Sequence, residues 1–103
     1  SSQGNAFYSN LKSINEIEAE LKGRRKDGLP LDEFKAEHPE YQLVARANLV
    51  ERIVSKQRKI KSDLIAKDAP RADVKAVEDK ITNLMAGFNK NVKELQQRPQ
   101  AAH

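Results

Sequence analysis

The sequence predicts an all-α protein: a long antiparallel helical hairpin, preceded by a further long N-terminal helix and joined to it by a short connecting helix. Three observations predict it. Apolar residues recur every three or four positions through three long stretches of the 103-residue chain, which places them on one face of an α-helix. Charged residues make up 33% of the chain and aromatics 5%, a balance that suits long solvated helices with narrow apolar stripes better than a thick globular core. Finally, Pro30, Pro39, Pro70 and Pro99 fall at the joints between the periodic stretches, where helices begin and end.

The first long helix is expected from Ala6 to Lys26, with Phe7, Leu11, Ile14, Ile17 and Leu21 as its stripe. Cations at Arg24, Arg25 and Lys26 suit its C-terminal carbonyls, and Gly28 can adopt the left-handed cap. A short helix over residues 29–39 follows, with Pro30 in its first turn and Pro39 closing it.

The second long helix is expected to run from near Glu40 to about Lys67. Its stripe is Leu43, Ala47, Val50, Ile53, Val54, Ile60, Leu64 and Ile65, with Gln57 as a polar interruption. A compact connector over 67–71 puts Pro70 in the opening turn of the next helix, and so short a link joins antiparallel neighbours.

The third long helix, from about Pro70 to Gln97, carries the most regular pattern: Val74, Val77, Ile81, Leu84, Phe88, Val92 and Leu95. Up to Phe88 the steps alternate between three and four, a heptad seam of the kind that packs against a partner helix. Val74, Val77, Ile81, Leu84 and Phe88 are therefore the candidate seam, available either to the internal hairpin or to a partner. Gly87 costs roughly 1 kcal/mol of helix propensity relative to Ala and would let another backbone come close.

The chemistry this sequence can support is narrow. With no cysteine there is no disulfide, thiolate nucleophile or cysteine-based metal site. His38 and His103 are the two histidines, and neither lies among converging ligands, so no metal or cofactor is expected. Glu16, Glu18, Glu20, Glu78 and Asp79 read as solvated carboxylates at ion-pair spacing from cations and not as an acid pair across a cleft. Phe7, Tyr8, Phe34, Tyr41 and Phe88 read as core plugs where the short helix meets the long ones. No enzymatic role and no small-molecule substrate follow from these residues.

The apolar runs are short, so no membrane-spanning segment is expected and the chain should be soluble. The net charge is +4, and the strongest cluster is Arg52, Lys56, Arg58, Lys59 and Lys61, with Arg52, Lys56 and Lys59 three or four apart along one helical strip. It reads either as a site for nucleic acid such as DNA or an anionic membrane surface, or as a solvated outer face. The chain is expected to be a single helical module over 1–103, cut from a larger protein, since Ser1-Ser2-Gln3-Gly4 lacks an initiator Met.

Read in order, Phe7-Tyr8, Ile14-Asn15-Glu16-Ile17, Lys26-Asp27-Gly28, Glu37-His38-Pro39-Glu40, the basic helix, the proline-containing turn and the run from Ile81 to Asn89 form a recognisable helical pattern. It resembles the C-terminal helical regions of large phage internal virion or ejection proteins and the related large polyvalent proteins of mobile elements. The turn Asp68-Ala69-Pro70-Arg71-Ala72-Asp73 departs from the Ser-Pro-Glu-Glu-like start expected there. The resemblance implies a non-enzymatic assembly module that works in genome delivery. It would lie in the virion interior and then in the host cell envelope, with other virion proteins or copies of itself as partners.

Overall fold

In a computed structural model, which describes residues 2–24 and 30–97, the chain folds into four helices: α1 (Ser2–Arg24), α2 (Leu31–Glu37), α3 (Glu40–Ala66) and α4 (Arg71–Gln97). Among the described residues there is no strand. The expected end of the first helix at Lys26 and the cap at Gly28 lie outside the described residues, as does His103. α1 begins at Ser2, one turn earlier than its apolar stripe alone predicts.

The two prolines that flank α2 act as boundaries. Pro30 stands just before α2, and not in its first turn, and its carbonyl accepts from the Phe34 amide. His38, directly before Pro39, has φ −127° and ψ 83°, since the proline ring excludes its neighbour from the helical region. Pro39 then precedes α3, where its carbonyl accepts from the Gln42 amide at 3.0 Å.

The turn between α3 and α4 is a complete Schellman cap. The Ala69 amide donates to the Leu64 carbonyl at 3.0 Å and the Asp68 amide to the Ile65 carbonyl at 3.1 Å. This geometry demands a left-handed residue, and Asp68 supplies it with φ 55° where glycine is the usual occupant. Pro70 stands immediately before α4 instead of within its opening turn, and its carbonyl accepts from the Asp73 amide at 2.9 Å.

α3 and α4, each 27 residues and so about 40 Å long, form the hairpin, and α1 packs against both. The core joins Phe7, Leu11 and Ile14 of α1 to Val44, Ala47, Val50 and Val54 of α3 and Ile81, Met85, Phe88 and Val92 of α4. Phe7 is fully buried, its ring edge-on to Phe88 at 5.5 Å between centroids. Leu21 and Phe34 are buried outside this cluster, and Phe34 meets Tyr41 edge-on at 5.7 Å.

The first helix buries Phe7, Leu11, Ile14 and Leu21, with Ile17 half-buried, which matches its predicted stripe. Val44 and Met85 are buried although neither stands in the predicted stripes. Each is the neighbour of a predicted residue, Leu43 or Leu84, that is only partly covered, because three helices widen the buried arc beyond a two-helix seam. Ile60 and Ile65 depart in the other direction, 42% and 56% exposed. Tyr8, expected as a core plug, is also about half exposed.

The position of α1 explains the exposed isoleucines. Its first turns, Gly4 to Tyr8, share a groove with Arg58 and Lys61 of α3 and with Glu78 and Thr82 of α4. Farther along, Leu11 to Ala19 lie beside Glu51. α1 therefore runs antiparallel to α3, starting level with Lys61 and leading away from the turn. Among the described residues the hairpin tip from about that level has two helices and no third, so Ile60, Leu64, Ile65, Val74 and Val77 keep part of their surface in water.

Two stability measurements follow. Asp68→Gly should stabilise the fold by about 0.5–1 kcal/mol in urea titrations, because glycine takes a positive φ without the Cβ clash, whereas Asp68→Val should destabilise it by about 1–2 kcal/mol. Ile81→Asp should abolish cooperative folding by circular dichroism, since it buries an unpaired carboxylate in the core and marginal domains hold only about 5–15 kcal/mol in reserve.

Candidate helix-contact surface and basic face

The α3–α4 hairpin has two long sides, and α1 occupies one of them. Besides the apolar contacts, a polar clasp fixes α1 in register. The Asn89 side chain accepts at Oδ1 from Asn10 Nδ2 at 2.9 Å and donates from Nδ2 to the Gln3 carbonyl at 3.1 Å and to Gln3 Oε1 at 2.9 Å. A single asparagine on α4 thus joins two turns of α1 and uses both ends of its amide.

Elsewhere between the hairpin helices lies an open groove lined by residues of α3 and α4 alone, among them Leu43, Ala45, Arg46, Leu49, Asn91 and Glu94. Phe88 forms part of its floor. Leu49 is 46% exposed there, and Leu43 is half-buried. Gly87, next to Phe88, has nothing within 4 Å of where a Cβ would stand, so no packing inside the chain calls for glycine at this position.

The candidate seam is divided. Ile81 and Phe88 are buried in the core between α1, α3 and α4, while Val74, Val77 and Leu84 are half-buried. Val77 and Leu84 pack on the core from its edge. The seam's two most buried members are therefore taken up within the chain, and the half-buried ones border its open surfaces.

The predicted basic strip is divided as well. Helical rotation of about 100° per residue turns Arg58 and Lys61 toward α1 and α4. The Arg58 guanidinium lies 5.6 Å from the Tyr8 ring centroid and Lys61 Nζ is 3.3 Å from Glu78 Oε1. Arg52, Lys56 and Lys59, three or four residues apart, form the outward line and are all exposed. Ile60 sits beside Lys59, and Leu49 lies one turn before Arg52 and Ile53. Sequence spacing already aligns Arg52, Lys56 and Lys59 on one strip; the placement of α1 and α4 shows what Arg58 and Lys61 face instead.

Glu18, Glu78 and Asp79 are engaged in surface pairing. Glu18 accepts from Lys22 at 2.7 Å, Asp79 pairs with Lys75 at 3.0 Å, and Glu78 faces Lys61. The hydrogen bond and charge of Glu18 hold the exposed Lys22 ammonium above its ordinary pKa. His38 is half-buried, its ring centroid 4.3 Å from that of Phe34. Among the described residues no group of three or more His, Asp or Glu side chains is placed to hold a metal ion. Nor is any helix among them long and apolar enough to cross a membrane.

No protein-family model, curated protein or solved structure matches the chain.

Asn89→Leu should loosen α1 selectively. It removes the clasp at a partly solvated site, with an expected loss of about 1–2 kcal/mol. Hydrogen exchange should accelerate at α1 amides more than at the centres of α3 and α4.

Proposed function

We propose that the chain is a non-enzymatic helical assembly module whose contact surface is the open groove of the α3–α4 hairpin. With the sequence resemblance, the reading is of a segment of a phage ejection or internal virion protein that takes part in genome delivery. It would reside in the virion interior and then in the host cell envelope, docking on other virion proteins or on copies of itself. The observation that carries the reading is the groove itself. Leu43 and Leu49 stand partly uncovered along a hairpin side that no helix among the described residues covers, and Gly87 has open space where a Cβ would stand.

Helix-to-helix docking fits this surface on physical grounds. The hairpin presents a groove between two helices, the shape into which ridges of a third helix pack. A partner would bury apolar area worth about 25 cal/mol per Å² of surface removed from water. Gly87 would admit its backbone at short range.

Ala45 is exposed and lines the groove, so Ala45→Glu should leave the helical content and melting profile unchanged while placing a charge in the contact surface. Sedimentation velocity over a concentration series should show wild-type chain associating and the Ala45→Glu variant remaining monomeric. A wild-type monomer at every concentration would exclude copies of itself as the partner, and association indifferent to Ala45→Glu would exclude the groove.

A further inference from the structure

We propose that the outward face of α3 is a docking surface for an anionic lipid bilayer. The inference does not rest on the groove or on the assembly reading. It rests on the exposed cations Arg52, Lys56 and Lys59, aligned on one side of a helix and flanked by the exposed aliphatic Ile60 and the half-buried Ile53.

The line covers two turns, about 10 Å of helix at 1.5 Å per residue. None of its three cations is taken up in an ion pair, unlike Lys61, Lys75 and Lys22, which face Glu78, Asp79 and Glu18. Asp63 is the acid in the next turn of the same face, and Lys67 follows it, so the face remains net positive. Lys and Arg carry long apolar stems that lie along a headgroup layer while their charges reach its phosphates.

The aliphatic neighbours decide between lipid and nucleic acid. Duplex DNA rewards the cations through counterion release, but a phosphate backbone leaves Ile53 and Ile60 in water. At a bilayer surface the same side chains enter the headgroup and acyl boundary, adding hydrophobic burial to charge attraction. The strip also has no aromatic ring for base stacking. A second copy of the chain fits poorly, because a two-fold contact through this face would oppose like charges. Since no helix among the described residues can cross a membrane, the contact is one of surface adsorption.

Each cation near an anionic surface contributes roughly fivefold to partitioning, so three give on the order of 100-fold at low salt. The test measures co-sedimentation of the full chain with sucrose-loaded vesicles, either phosphatidylcholine alone or phosphatidylcholine with phosphatidylglycerol. Wild type should prefer the anionic vesicles by about that factor, and the preference should shrink as salt screens it. The triple variant Arg52→Glu, Lys56→Glu, Lys59→Glu should lose the preference. A variant of equal net charge, Lys80→Glu, Lys90→Glu, Lys93→Glu on α4, should retain most of it. Ile60→Ser should weaken the binding that survives at high salt.

Equal partitioning to both vesicle types, or equal loss in the two triple variants, would overturn the proposal. So would binding of duplex DNA through the same three cations with Ile60→Ser having no effect on it and vesicle binding absent. That outcome would assign the face to nucleic acid.

Discussion

The structure depends on the burial of one face of α4 against two helices at once. Phe7 of α1 has no exposed surface and meets Phe88 of α4 edge to face, while Ala47, Val50 and Val54 of α3 join the same cluster. A pair of helices cannot enclose a phenylalanine on all sides; a third helix can. Small chains hold little apolar area in reserve, so this contact accounts for much of what ordering α1 can gain against its lost conformational entropy. The Asn89 clasp adds about 1–2 kcal/mol, and its geometry fixes which turns of α1 oppose which turns of α4.

The surface follows from that one docking event. Because α1 covers one side of the hairpin, the groove containing Leu43 and Leu49 stays open. Because α1 starts level with Lys61, it leaves the hairpin tip uncovered among the described residues, and Ile60 and Ile65 meet solvent. Arg58 and Lys61 are drawn toward Tyr8 and Glu78, which leaves Arg52, Lys56 and Lys59 as a separate outward line. An apolar groove and a basic face thus lie on neighbouring parts of α3, and the two proposed contacts use different residues of it: Leu43 and Ala45 toward a partner helix, the three cations and Ile60 toward lipid.

Much of the helix order was legible in the chain. The apolar steps of α1 identified Phe7, Leu11, Ile14 and Leu21 as its inner face, and the structure buries all four. Pro30, Pro39 and Pro70 marked the helix starts to within a residue or so, since proline restricts its predecessor and cannot donate a backbone hydrogen bond. The Schellman cap was not legible, because its left-handed residue is Asp68 and not the glycine that ordinarily signals one. Val44 and Met85 were missed for a related reason. Periodicity gives the direction of one helical face, whereas the width of the buried arc depends on how many neighbours a helix has.

The sequence by itself determined an all-α chain, four helices in order, the antiparallel hairpin and the residues that give α3 its positive charge. Those properties are set locally, by spacing of three or four residues and by the restrictions proline places on the backbone. The tertiary structure alone decided which apolar residues are core and which are surface, which groups Arg58 and Lys61 face, and which side of the hairpin stays uncovered. Each depends on where α1 docks, and that position is selected by the fit of Phe7, Leu11 and Ile14 into the hairpin and by the hydrogen bonds of Asn89. Packing between residues some eighty positions apart has no counterpart in the short-range periods that a chain displays along its length.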